Sequence, residues 1–111
     1  MRALLTATDL APFFDRSPLT INRWMREGRL RTVPLSHHQS RYVALAELDR
    51  LTGQSHVYTG PERLSQRHAA AWMGLSADTV HRAVALGFVP VDGHGAVDGV
   101  FVRALIEGAA Q

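Results

Sequence analysis

The sequence predicts a mainly α protein with small β-hairpins, built as two tandem copies of one helix-turn-helix module. Three observations lead there. The chain repeats itself at an offset of 59, Leu5 to Leu30 aligning without a gap onto Leu64 to Val89. Leu5, Ala11, Ser17, Thr20, Arg23 and Gly28 recur as Leu64, Ala70, Ser76, Thr79, Arg82 and Gly87, at caps, turns and apolar spacings. Ile21 falls on Val80, Phe13 on Trp72 and Leu30 on Val89; further on, Tyr42 and Val43 fall on Phe101 and Val102. In each copy, two stretches of apolar residues at helical spacing begin on serine or threonine. After each pair come short extended runs around polar or glycine-rich connections. The expected organisation is a first module over 1–52, a linker over 53–62 and a second module over 63–111.

In the first module, Thr6 starts a helix expected over Ala7 to Phe14, with Asp9 completing an approximate capping box. Leu10, Phe13 and Phe14 should face inward, and Pro12 must bend or shorten the last turn. Ser17 then caps a second helix with Pro18 at its first position, where a missing N–H costs nothing. Ile21, Trp24 and Met25 form its apolar face, while Leu19, Asn22, Arg23 and Arg26 lie on the other. Gly28 is placed to stop it. Leu30 to Pro34 and Arg41 to Ala44 read as a hairpin whose polar connection, Leu35 to Ser40, suits an exposed tip. A last helix from Leu45 to Leu51 should bury Leu48 and Leu51. The second module repeats the pattern. Ser65 caps a helix including Ala69 to Met73, and Gly74-Leu75-Ser76 forms the turn. Val80, Ala83 and Val84 form the apolar stripe of Ala77 to Leu86, ended by Gly87, and Val89 to Val102 should make the hairpin. In the linker, Val57 and Tyr58 are expected to pin the two modules together.

Composition narrows the functional classes. The 111 residues include 12 arginines, no lysine and no cysteine, for a net charge of +2. Without cysteine there is no disulfide, no thiolate catalysis and no sulfur-ligated zinc, a usage that fits a reducing cytosol. No apolar run approaches membrane-spanning length and no signal-peptide pattern opens the chain, so a cytoplasmic, nucleoid-associated protein is expected. The charge is uneven: residues 1–54 carry +3 and residues 55–111 carry −1. That asymmetry points to a polyanion partner, mainly for the first module.

The stretches Leu5-Thr-Ala-Thr-Asp-Leu-Ala, Ser17-Pro-Leu-Thr-Ile-Asn-Arg-Trp-Met-Arg-Glu-Gly-Arg-Leu and Arg41-Tyr-Val resemble the winged helix-turn-helix of excisionases and MerR-type regulators. The resemblance covers nearly all of residues 5–51 and implies tandem winged helix-turn-helix modules that bind double-stranded DNA. It implies that Pro18 to Arg26 enters the major groove and that Arg29 to Arg41 forms the wing on the backbone. The chain departs from the family at the turn, where Asp15-Arg16 stands in place of glycine and an aliphatic residue.

Residue chemistry adds the contacts. Arg23 and Arg26 can bond guanine edges or phosphates, and Asn22 can read adenine. Ser17 and the free N–H groups beside Pro18 suit a phosphate oxygen. Arg29, Arg31 and Arg41 flank the hairpin. Singly each is an ordinary solvated arginine; on one side of one motif they form a candidate interface. In the second module the equivalents are Arg67, His81 and Arg82, next to a hairpin holding two aspartates and no cation. That module is either a weaker DNA reader or a docking unit, for a second copy or a recombinase or polymerase subunit. The six histidines show no metal-ligand spacing, although His37-His38 can add weak phosphate attraction when protonated. No Gly-rich phosphate loop or catalytic constellation is present in the sequence, so neither an enzyme nor a cofactor is expected. The competing reading is an adaptor or dimerisation protein that binds protein rather than DNA.

Overall fold

The computed structural model describes residues 2–37 and 41–108. The expected loop residues His38, Gln39 and Ser40, and residues 109–111 of the expected second module, lie outside them. The element order is β1 (Leu4–Leu5), α1 (Ala7–Phe14), α2 (Pro18–Arg26), β2 (Val33–Pro34), β3 (Arg41–Ala44) and α3 (Leu45–Thr52). The second half continues with β4 (Arg63–Leu64), α4 (Gln66–Met73), α5 (Ala77–Ala85), β5 (Val97–Asp98) and α6 (Gly99–Glu107). The protein is mainly helical with small antiparallel sheets.

Local chemistry accounts for the helix starts. The Thr6 hydroxyl accepts the Asp9 N–H, and the Asp9 carboxylate accepts the Thr6 N–H at 2.9 Å, satisfying two N-terminal donors reciprocally. Ser17, Ser65 and Ser76 cap α2, α4 and α5 by accepting the N–H groups of Thr20, His68 and Thr79. Pro12 sits in the last turn of α1 without breaking it. The turn after α1 closes on Asp15 in the left-handed region, φ 51°, where α4 closes on Gly74 at φ 77°. The two turns thus share a backbone although one lacks glycine.

β3 lies between β1 and β2, with Leu5 opposite Val43 and Val33 opposite Tyr42. In the second half, β4 pairs with β5, Leu64 lying opposite Val97, and Val91 adds a single bridge to Val97. This pairing corrects the expected hairpin over Val89 to Val102. Leu5 meets Val43 and its repeat partner Leu64 meets Val97, so an offset that is 59 at Leu64 has become 54 at Val97. The second hairpin is five residues shorter, and Phe101 and Val102 are helical. Asp92 explains the contraction: its Oδ1 accepts the N–H groups of His94 and Ala96, closing a tight turn. Asp98 then caps α6 by accepting the Val100 N–H.

A single core cluster draws on both halves, including Leu10, Ile21 and Met25 from the first and Met73, Val80 and Ala83 from the second. α3 packs on α6 at the seam. Ala3 links the halves further, donating to the Trp72 carbonyl of α4 and accepting from Leu45 at the start of α3, both at 2.9 Å. Arg2 reaches across to the Gly74 carbonyl at 3.0 Å while its other guanidinium nitrogen holds Asp9 at 2.8 Å.

The linker is fastened rather than loose. His56 Nδ1 lies 2.7 Å from Asp49 Oδ2, the Tyr58 N–H donates to Glu107, and Tyr58 Oη donates to the Pro61 carbonyl. Tyr58 is buried with its ring edge-on to Trp72 at 4.9 Å, which fastens the linker onto the second half rather than joining the two modules. Val57 is 65% exposed and does not share that role. Two other expected core residues also face out, Phe13 at 62% and Leu51 at 42% exposure. Phe13 stands where the second half has Trp72; Tyr58 covers the tryptophan, while the phenylalanine stays open.

Candidate nucleic-acid interface

α2 carries the centre of the candidate interface. Ile21 and Met25 are buried, which turns Leu19, Asn22, Arg23 and Arg26 to the exposed side along one helical stripe. Ser17 and Pro18 are exposed at its start. Two rings fix the helix's attitude: Trp24 is half-buried and meets Phe14 edge-on at 5.8 Å.

The eight arginines of the first half divide by partner. Arg2 is paired with Asp9 while it reaches across to the Gly74 carbonyl, and Arg50 holds the buried Glu47 at 2.8 Å. Arg29 lies 3.6 Å from Glu27, so part of its charge is answered locally. Arg16, Arg23, Arg26, Arg31 and Arg41 have no carboxylate within ion-pair distance among the described residues. Arg41 is brought from β3 to the end of α2, where Nη1 donates to the Met25 carbonyl at 3.4 Å. Arg31 goes elsewhere. Its N–H donates to Glu47 Oε2 at 2.8 Å, and it lines an open cleft of about 480 Å³ with Asp49, Arg50 and His56. Burial raises the Glu47 pKa, but bonds from Arg50 and the Arg31 N–H outweigh it and hold the carboxylate below its ordinary range.

Arg16 is a further candidate for the interface, one that the turn's unusual sequence concealed. It is exposed immediately before Ser17, Nη1 donating to the Asp15 carbonyl at 3.0 Å, where the second half has Leu75. The departure from glycine and an aliphatic residue therefore places one more cation beside the start of α2. Of the described residues of the hairpin connection, one departs from the expected exposure. Leu35 is buried and the His37 ring meets Phe88 of the second half at 5.0 Å. The second half thus braces the first hairpin, and the polar face of α2 stays open.

The second half differs in charge and shape. Arg67 lies exposed in the first turn of α4, and α5 exposes Asp78, His81 and Arg82. Gln66 ties these parts together, meeting His81 Nδ1 at 3.0 Å and donating to the Gly95 carbonyl of the short turn at 3.1 Å. Arg63 is paired with Asp92 and Arg103 with Glu107. Backbone donation from His94 and Ala96, with the Arg63 contact, keeps the Asp92 carboxyl below its usual range despite some burial. Arg67 and Arg82 have no carboxylate in ion-pair range among the described residues.

The described residues contain no helix long and apolar enough to cross a membrane. No protein-family model, curated protein or solved structure matches the chain.

Proposed function

We propose that this protein binds double-stranded DNA through tandem winged helix-turn-helix modules. It acts either as a transcriptional regulator or as an excisionase-like factor directing recombination. One observation carries the reading. Arg23 and Arg26 line the exposed face of α2 without carboxylate partners among the described residues, and Arg41 is drawn to the same helix end by the Met25 carbonyl. A helix bearing unpaired guanidinium groups beside a basic hairpin matches the width and charge of the major groove and its flanking phosphates. α2 supplies base contacts through Asn22, Arg23 and Arg26; Arg16, Ser17 and Arg41 hold phosphates; Arg29 and Arg31 contribute less. The second half adds weaker contacts through Arg67, His81 and Arg82 and braces the first. Exposed Val91 and Val100 beside Asp92 and Asp98 favour a second role for that half, docking a protein partner.

A salt titration of binding to random duplex tests the proposal. Neutralising about four or five phosphates gives a log–log slope of about −4. Absence of binding at low salt would sink it and leave the adaptor reading.

A further inference from the structure

We propose that Leu19 is a specificity-determining residue that seats the C5-methyl group of a thymine in the major groove. The inference rests on the DNA-binding reading above. Leu19 is 76% exposed, the largest exposure among the large apolar side chains of the described residues. It lies on α2 in one stripe with Asn22, Arg23 and Arg26, at spacings of three, four and seven residues. The fold does not need leucine there. The repeat-equivalent position on α5, with the same serine cap and helix length, holds an exposed Asp78. Desolvating an exposed leucine requires an apolar partner, yet the stripe is otherwise amide and guanidinium groups. Within a major groove, the apolar feature at a base edge is the thymine methyl group. Leu19 is also placed for it: the first residues of a groove-bound helix are those that reach base edges. Ser17 capping and Pro18 at the first helical position hold the Leu19 backbone rigidly. Asn22, one turn further along, is the residue suited to adenine. The seated thymine therefore lies within about two base pairs of an Asn22-bound adenine, the rise of one helical turn being about 5.4 Å.

The test uses the full chain and the tightest-binding duplex selected from a random pool, with each thymine replaced in turn by deoxyuridine. Loss of the methyl group at one position should weaken binding about three- to fivefold, from roughly 0.8 kcal/mol per buried methyl-sized group. Leu19→Ala should bind the thymine duplex more weakly by a similar factor and no longer distinguish it from the deoxyuridine duplex. Leu19→Met, which keeps an apolar tip, should retain part of the discrimination. Wild-type protein indifferent to every replacement, or Leu19→Ala with discrimination intact, overturns the assignment while DNA binding stands. A change in oligomeric state on Leu19→Ala, with discrimination unchanged, overturns it in favour of a protein contact. Failure of the wild-type chain to bind any duplex removes the DNA reading itself.

Discussion

Asp15 shows how a turn can keep its backbone while losing its glycine. It occupies a left-handed position that glycine fills in the second half, and a side chain there carries a conformational cost. Asp15→Gly should raise stability by about 0.5 kcal/mol, the relief of that cost exceeding the extra freedom gained by the unfolded chain. Denaturant unfolding measures it, and a loss of stability would mean the carboxylate makes a compensating contact. The arginines divide in the same residue-by-residue way. Arg23→Ala should cost about 1 to 3 kcal/mol of specific binding and relax preference at one base pair. Arg41→Ala should weaken all sequences alike, and a changed base preference would move it from phosphate to base. Spacing alone pointed to Arg23, Arg26 and Arg41. It did not separate Arg31, whose backbone N–H meets Glu47, sixteen residues away, only once the chain has folded. Arg16 was hidden for a different reason: a charged turn reads as a defect until its exposure is seen.

At the scale of elements, the sequence was most informative where structure is decided locally. The start of α1 follows from Thr6 and Asp9, and the limits of α2 from Ser17, Pro18 and Gly28. The error came where two patterns compete. Val97 to Val102 is apolar and β-branched enough to read as a strand, and continuing the 59-residue offset favoured that choice. Asp98 decides otherwise by capping α6, a role invisible until Asp92 has closed the turn before it. Core membership also failed for a tertiary reason. Phe13 has the right spacing but, among the described residues, no ring packs on it as Tyr58 does on Trp72. Tyr58→Ala should therefore cost about 3 kcal/mol or more, losing ring packing and the Pro61 bond, while Phe13→Ala should cost under about 1. Thermal unfolding of the pair checks the contrast; equal costs would mean that Phe13 is covered in solution.

The whole molecule unfolds as one unit if its core is shared as described. A single calorimetric transition is expected, and two resolved transitions would show that the halves close separately. Acid should weaken it. Glu47 and Asp92 both have folded pKa values below their ordinary ones, so their stabilisation is present above the unfolded carboxylate pKa. It is lost as pH falls through the folded values. The melting temperature should drop below about pH 4, and Glu47→Gln should flatten that drop. An unchanged acid slope would remove Glu47 from the account. Arg82→Ala tests the second half: weakened DNA binding marks it as a reader, unchanged affinity as a docking unit.

The fastened linker has a consequence for reach. Asp49, Glu107 and the Pro61 carbonyl hold residues 56–58, so this segment behaves as a rivet and not as a tether. If the proposed DNA binding by both halves holds, the separation between α2 and α5 is a built-in ruler. Adding glycine–serine residues between Gly53 and His56 would leave the preferred gap between two cognate sequences unaltered, whereas breaking the α3–α6 seam would let it wander.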